Sequence, residues 1–188
     1  MARGAGTIWL TGLPAAGKTT LAHAVRDVLA GRGQPACVLD GDVLRRGVSS
    51  DLGLTPSDRS EQGRRAAHIA ALLSESGVVA VVALVSPYVT DRRRARQIHD
   101  DLGLDFVEVW VDTPLAVCQQ RDPKGLYAQA RAGKLEGLTG VSAPYEPPPN
   151  PELRLPASEE DPHQLAEQII ELLPAGHLTG GQRAGSRG

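Results

Sequence analysis

Aromatic residues are scarce in this chain. Phenylalanine, tyrosine and tryptophan make up 3% of the 188 residues, and the chain has a single Phe. Because 41% of the residues are nevertheless hydrophobic, aliphatic side chains and alanine must fill most of the core. The length is sufficient for one α/β domain around a single core.

Cysteine is also scarce. Cys37 and Cys118 are the two cysteines, and they are far apart without the CxxC spacing of a metal or redox site. Both lie in apolar segments, which favours buried free thiols over a disulfide. The five histidines have no metal-ligand spacing, so we expect them to be structural or surface residues.

The chain has no excess of positive charge. Its net charge of −2 supplies no overall basic field, so we expect no nucleic-acid partner. The longest basic run, residues 92–96, contains four arginines within a predicted amphipathic helix. We expect this run to be a solvated helix face.

Long hydrophobic runs are absent as well. No apolar segment approaches the roughly 20 residues that span a bilayer, and residues 1–6 are too few and too polar for a signal peptide. We therefore expect a cytoplasmic protein without a membrane partner.

Apolar runs and helical periods alternate along the chain, and this pattern predicts a doubly wound parallel sheet of about five strands with helices on both faces. The predicted strands are 7–11, 36–39, 78–85, 106–111 and 153–155, and the predicted helices are 19–30, 57–76, 91–101, 115–121 and 162–173. Ser57 is a predicted N-cap. Ligands of such sheets bind beyond the carboxyl ends of the strands.

Residues 122–151 interrupt this alternation. They are rich in Gly, Pro, Lys and Arg, which predicts a mobile lid segment rather than packed core. We expect residues 1–173 to form one domain that includes this lid segment. Residues 174–188 are predicted to be a disordered, Gly-rich tail.

Residues 12–19, GLPAAGKT, fit the pattern GxxxxGK[ST] between a predicted strand and a predicted helix. Backbone N–H groups of such a phosphate-binding loop wrap phosphate oxygens, the lysine reaches the β/γ oxygens and the hydroxyl ligates Mg²⁺. The residues expected to bind ATP here are Gly12, Ala15, Ala16, Gly17, Lys18, Thr19 and Thr20. The pattern indicates a P-loop protein of the NTPase type, but GTPases, ATPases and kinases all share it.

Several other segments narrow the function. They are Asp40-Gly41-Asp42 with Arg45, Asp51-Leu52-Gly53, Asp58-Arg59 with Arg64-Arg65, Ser86-Pro87-Tyr88, the run from Arg121 to Tyr127, and Ala143-Pro144-Tyr145-Glu146. In this order they resemble the motifs of the adenylylsulfate kinase (APS kinase) family, over roughly residues 7–155. The resemblance implies an ATP- and Mg²⁺-dependent transfer of the γ-phosphate to the 3′-hydroxyl of adenosine 5′-phosphosulfate. The products would be 3′-phosphoadenosine 5′-phosphosulfate and ADP, as in sulfate assimilation.

Two carboxylates follow the second predicted strand in this family pattern. We expect Asp40, with Thr19, to orient Mg²⁺, and Asp42 to accept the proton of the attacking hydroxyl. Either aspartate could instead simply cap a loop.

The basic residues of the pattern imply an anionic acceptor. Arg45 and Arg59 would hold its phosphate or sulfate oxygens. Lys124 and Arg131 of the lid segment would bring positive charge onto the transferred phosphoryl group on closure, and Arg121 would stack on the ATP adenine. Arg64 and Arg65 could equally be solvated helix residues.

Ser86 directly follows the third strand. In some members of the family the corresponding serine carries phosphate, whereas a serine at this place can also just bind backbone or acceptor. We expect Ser86 to take part in catalysis and, with its neighbour Val85, to bind the acceptor.

Departures from the family pattern cluster at the acceptor side. Leu54 and Leu138 stand where the family has two phenylalanines that enclose the acceptor adenine, Val43 replaces an Asn, and Gln62 replaces another Asn. Loss of base stacking costs roughly 1–3 kcal/mol per aromatic side chain. Two functions therefore stay open: an APS kinase with a looser adenine clamp, or a kinase of this fold redirected to another small hydroxyl compound, as in specialised metabolism.

A non-catalytic nucleotide-binding regulator is a third alternative. The intact Lys18, Thr19, Asp40 and Asp42 argue against it. The resemblance also allows a homodimer, which no apolar stripe in the sequence requires.

Overall fold

The computed structural model describes residues 4–156 and 161–174. Five parallel strands form one sheet in the order β2-β3-β1-β4-β5. The strands are β1 Thr7–Thr11, β2 Ala36–Asp40, β3 Val79–Ala83, β4 Phe106–Asp112 and β5 Leu153–Pro156; the helices are α1 Lys18–Gly31, α2 Gly41–Arg45, α3 Pro56–Glu75, α4 Val89–Asp101, α5 Leu115–Arg121, α6 Leu126–Arg131 and α7 Pro162–Ile170. The predicted fold class is confirmed.

The central strands are buried on both faces. Every residue of β1 and β3 is buried, and Ile8 pairs with Val81 in register. This burial explains why the sequence of β3, VAVVA, is uniformly apolar rather than alternating.

Alternate residues of the strands pack into two cores, one on each face of the sheet. On one face, Ile8 packs with α1 and α7. On the other face, Trp9 packs with Ala66 of α3 and Ala95 of α4. Two of the scarce aromatic residues meet in this second core, where the ring centroids of Trp9 and Phe106 are 5.7 Å apart. Alanine and aliphatic residues fill most of the remaining core, as expected.

Helix α3 begins earlier than the sequence suggests. Thr55, not the predicted Ser57, is its N-cap: the Thr55 hydroxyl accepts from the amide of Asp58, and the Asp58 carboxylate accepts from the amide of Thr55. Pro56 occupies the first helical turn, where its missing N–H costs nothing. The prediction failed because Thr55-Pro56 is the stronger start signal.

The basic run of α4 is not a uniformly solvated face. Arg92 is 2% exposed and forms an ion pair with Glu108 of β4. Arg96 is half-buried over the ring of Phe106 and forms an ion pair with Glu152. Arg93 is exposed, as predicted. The prediction was wrong for Arg92 because it counted charges and not the direction in which each one points.

The lid segment (residues 122–151) is partly packed. Tyr127 of α6 and Leu138 are 1% and 3% exposed and belong to the core on the α1 side, which corrects the expectation of a segment without packed core. Cys118 is buried and Cys37 half-buried, and both thiols are free. Apart from Pro174, the predicted tail lies outside the described residues. Within the described ranges, no helix combines the length and apolarity needed to cross a membrane.

Candidate active site

One large cavity of about 1610 Å³ lies at the carboxyl ends of the strands. Its wall unites the segments that follow β1, β2, β3 and β4 with parts of the lid segment. The predicted site residues that line it are Ala15, Ala16, Gly17, Lys18, Thr19, Thr20, Asp40, Asp42, Arg45, Leu54, Arg59, Gln62, Val85, Ser86, Arg121, Lys124 and Leu138. The structure thus brings together the nucleotide and acceptor residues that the sequence singled out.

Gly12 does not line the cavity but shapes the loop beneath it. Its φ of 153° is one that L side chains rarely adopt, and a Cβ there would lie 2.5 Å from the carbonyl oxygen of Val111 in β4. Only glycine allows the chain to turn so closely against the neighbouring strand. The loop then runs directly into the N-terminus of α1 at Lys18.

The Lys18 ammonium lies inside the phosphate-binding loop. Its Nζ donates to the carbonyl oxygens of Gly12 and Leu13, at 2.9 and 2.7 Å. Burial lowers the pKa of Lys18 from 10.5 to about 8, so the group still carries its charge at neutral pH. A buried ammonium next to a helix N-terminus makes this loop a binding site for anions.

Thr19 and Asp40 meet at the mouth of the loop. The Thr19 hydroxyl donates to Asp40 Oδ2 at 2.7 Å, while Asp40 Oδ1 accepts from the amide of Asp42 at 2.9 Å and so caps α2. Burial pushes the pKa of Asp40 upward, but the hydrogen bonds from Thr19 and from the amides of Asp42 and Val43 outweigh it and the pKa is lowered. Asp40 is therefore ionised. Its carboxylate caps α2 and also lies on the cavity wall.

Asp42 projects from α2 toward the lid segment. Its side chain is exposed and forms an ion pair with Lys124. The contact joins the proposed proton acceptor to the lid lysine that was expected to approach the transferred phosphoryl group. Both groups lie on the cavity wall, so they face the same space.

Ser86 has an unusual environment. Its φ is 42°, which is rare for a residue with a side chain. The Ser86 hydroxyl is buried and has no hydrogen-bond partner among the described residues. A buried hydroxyl without a partner on a cavity wall is suited to bind a polar ligand atom.

Arg45 and Arg59 both line the cavity, and their charges are close enough to interact. Arg45 donates to the carbonyl oxygen of Gly53 at 2.6 Å, and Arg59 donates to that of Gly137 at 2.9 Å. Burial lowers the pKa of Arg59, and the positive charge of Arg45 lowers it further. Two guanidinium groups fixed near each other create a local attraction for an anion.

The residues at the expected base clamp differ in exposure. Leu54 is 38% exposed on the cavity wall, whereas Leu138 is 3% exposed and belongs to the core. Gln62 is buried, and its amide nitrogen donates to the carbonyl oxygen of Gly41 at 3.0 Å. This hydrogen bond orients the Gln62 side chain, and Leu54 offers the more accessible apolar surface.

The other arginines that the sequence analysis named differ in whether they line the cavity. Arg121 lies at the cavity, with Nη1 3.5 Å from the carbonyl oxygen of Ala16. Arg131 is exposed at the end of α6 and does not line the cavity. Arg64 forms an ion pair with Glu61, and Arg65 with Asp51, so the interpretation of Arg64 and Arg65 as surface helix residues fits the structure.

Two residues whose role sequence reasoning did not identify donate hydrogen bonds to carbonyl oxygens of the phosphate-binding loop. The Thr113 hydroxyl donates to the carbonyl oxygen of Ala16 at 2.9 Å, and the Tyr127 hydroxyl donates to that of Pro14 at 3.0 Å. Thr113 directly follows β4, and that position was a usable signal. Tyr127 ends the motif run that starts at Arg121, but its contact with Pro14 spans 113 residues of sequence, and no local pattern indicated it.

A five-stranded parallel sheet with this loop at the carboxyl end of β1 defines a P-loop protein of the NTPase type. The sequence profile of the family described as adenylylsulphate kinase matches residues 4–156. The chain belongs to the adenylylsulphate kinase family.

Individual relatives agree with that assignment. An adenylyl-sulfate kinase of Paraburkholderia xenovorans is 50% identical over 173 residues, covering 89% of this chain and 94% of the relative. The bifunctional enzyme CysN/CysC of Mycobacterium tuberculosis is 47% identical over 89% of this chain, and the chain spans only 27% of that relative's length. A solved structure of the Mycobacterium tuberculosis APS kinase CysC, in complex with AMPPNP and APS, superposes with a TM-score of 0.88 at 45% identity. That match covers 90% of this chain and 98% of the other.

Proposed function

We propose that this chain transfers the γ-phosphate of ATP to the 3′-hydroxyl of adenosine 5′-phosphosulfate. The single observation that supports this most is the shared cavity. The phosphate-binding loop, Asp42, Lys124 and the arginine pair Arg45 and Arg59 all line it. A donor phosphate and an anionic acceptor can therefore occupy one space.

The charges of the site fit this reaction. Lys18 and Lys124 would neutralise the negative charge of the transferred phosphoryl group. Asp42 would accept the proton of the attacking hydroxyl, which requires its ion pair with Lys124 to loosen when the phosphate binds. Arg121, on the cavity wall, would stack on the ATP adenine.

Mg²⁺ is the metal that fits the donors at the mouth of the loop. The Thr19 hydroxyl and the ionised Asp40 carboxylate lie 2.7 Å apart, and oxygen donors of this kind are those that Mg²⁺ prefers. Thr19 and Asp40 would hold the ion, which would supply positive charge against the ATP phosphates.

The leucines support a second candidate, a kinase of this fold that acts on a different small hydroxyl compound. Leu54 presents an aliphatic rather than an aromatic surface to the acceptor, and Gln62 is held by Gly41. An acceptor without a purine base would not need aromatic stacking at this wall, so the leucines would not weaken its binding.

A comparison of acceptors decides between the two candidates. Initial rates of ADP formation would be measured with adenosine 5′-phosphosulfate, with adenosine 5′-phosphate and with a panel of small anionic hydroxyl compounds. The proposal requires the highest kcat/KM for adenosine 5′-phosphosulfate. A higher value for another acceptor would assign the chain to the second candidate.

A further inference from the structure

Arg92 is a buried arginine outside the cavity wall, and it connects three segments of the chain. Its Nε donates to Glu108 Oε1 in β4, its Nη1 to the carbonyl oxygen of Ser86, and its Nη2 to that of Glu146 at the end of the lid segment. Each of these distances is 2.7 Å. All three guanidinium nitrogens thus have a partner, and the Glu108 carboxylate balances the charge.

The first connected segment is the Ser86 loop (residues 84–88), which contributes to the acceptor wall. The Thr11 hydroxyl donates to the carbonyl oxygen of Val85 at 2.8 Å, and Arg92 binds the next carbonyl along the chain. A φ of 42° at Ser86 is unfavourable for a residue with a side chain, so the loop needs contacts from other residues to keep this backbone conformation. Contacts from Thr11 and Arg92 on successive carbonyl oxygens hold it in place.

The second connected segment is the end of the lid. The Tyr145 ring lies 5.8 Å from the Arg92 guanidinium, and the Tyr145 hydroxyl is 3.0 Å from Thr11 Oγ1. The Glu146 amide donates to the carbonyl oxygen of Pro87 at 2.9 Å, and the Glu146 carboxylate accepts from the amide of Val89 at 2.7 Å. The lid segment is therefore attached at this end to the Ser86 loop and to the start of α4.

We propose that Arg92 is a positioning residue for the acceptor site, and this inference rests on the proposed kinase function. By binding the carbonyl oxygens of Ser86 and Glu146 at once, Arg92 fixes the acceptor wall and the attached end of the lid relative to each other. Arginine is required because its planar fork reaches three acceptors, whereas the single nitrogen of lysine cannot reach all of them in this geometry.

The test uses Arg92→Lys, with Arg93→Lys on the same helix as the matched control because Arg93 is exposed. In Arg92→Lys we expect the KM for the acceptor to rise about tenfold, because one charge-assisted hydrogen bond is lost. The KM for ATP should change less than about twofold. Amide hydrogen exchange at Val89 and Glu146 should quicken by about the same factor. The control should match the wild type in every measurement.

A second variant provides an independent measurement in case Arg92→Lys does not fold. Tyr145→Phe removes only the hydroxyl that contacts Thr11, and we expect a rise of about threefold in acceptor KM with unchanged thermal stability. Wild-type exchange at Val89 and Glu146 in Arg92→Lys, or an equal rise of both KM values, would overturn the proposal. If the wild type shows no turnover with adenosine 5′-phosphosulfate, the proposed function fails, and the exchange measurement still decides the role of Arg92.

Discussion

Lys18 is held within the phosphate-binding loop by the carbonyl oxygens of Gly12 and Leu13. Because its charge would stabilise the transferred phosphate, we expect Lys18→Ala to lower kcat by at least about a hundredfold. Circular dichroism and thermal unfolding should still show a folded protein. Lys134→Ala in the exposed part of the lid segment is the control, and a fully active Lys18→Ala variant would mean that the loop has another role.

The cavity wall at Leu54 offers a test of the acceptor base. Leu54 is exposed enough to accept a larger ring, whereas Leu138 lies in the core, where a larger side chain would cost about 1–3 kcal/mol of stability. We therefore expect Leu54→Phe to lower the KM for adenosine 5′-phosphosulfate about tenfold, through stacking. An unchanged KM in steady-state kinetics would show that no adenine contacts this wall.

Single residues also mark the limit of sequence reasoning. Arg92 and Arg93 are adjacent and chemically identical in the sequence, yet one is buried against Glu108 and the other is exposed. Which of them points inward depends on the packing of α4 on the sheet. Lys18 and Thr19 were predictable because the chemistry of the phosphate-binding loop requires those residue types at that spacing, whereas Asp40 was predicted from the family resemblance.

The observed start of helix α3 can be tested directly by mutation of its N-cap. The Thr55 side chain caps the helix, so Thr55→Ala should lower the free energy of unfolding by about 1 kcal/mol. Urea unfolding gives this value, with Ser57→Ala as the comparison. An equal or larger loss in Ser57→Ala would contradict the assignment of Thr55 as the cap.

Helix α4 carries a buried histidine whose protonation affects folding. His99 Nδ1 lies 2.8 Å from the carbonyl oxygen of Ala95, and Nε2 lies 2.9 Å from the Thr7 hydroxyl. Burial lowers the pKa of His99 below 6.5, although the hydrogen bond to Ala95 acts in the opposite direction. The unfolded chain therefore takes up this proton first as the pH falls.

The stabilisation from a neutral His99 is present in full above the unfolded pKa of 6.5 and is lost as the pH falls through the lowered folded value. We expect the free energy of unfolding to fall as the pH drops below about 6.5, and His99→Gln to remove part of that slope. Urea unfolding at several pH values measures the slope. The same slope in both proteins would show that other groups cause it.

Most elements follow from local patterns, and the exceptions are short. Strands β1 to β4 were predictable because each is a mostly apolar run, and β5 because its two leucines alternate with a polar residue. Helices α2 and α6 were not, since five and six residues are too few for a clear period. They form because Asp40 caps one of them and Tyr127 of the other packs into the core.

At the scale of the whole molecule, parallel strands place all the polar segments at one sheet edge, which made the position of the cavity predictable. The partial packing of the lid segment was not predictable. Gly140 has a φ of 87°, which favours glycine, and a Cβ there would lie 2.8 Å from Cδ2 of Leu13 in the phosphate-binding loop, so this glycine lies where two distant segments touch. Contacts of this kind depend on the assembled fold.

The most direct test of the central claim is the formation of ADP from ATP and Mg²⁺, with and without adenosine 5′-phosphosulfate, with the nucleotide product identified by mass. We expect turnover of roughly 1–100 s⁻¹ at micromolar acceptor and one 3′-phosphoadenosine 5′-phosphosulfate for each ADP. Tight ATP binding without stimulation by adenosine 5′-phosphosulfate would contradict the account.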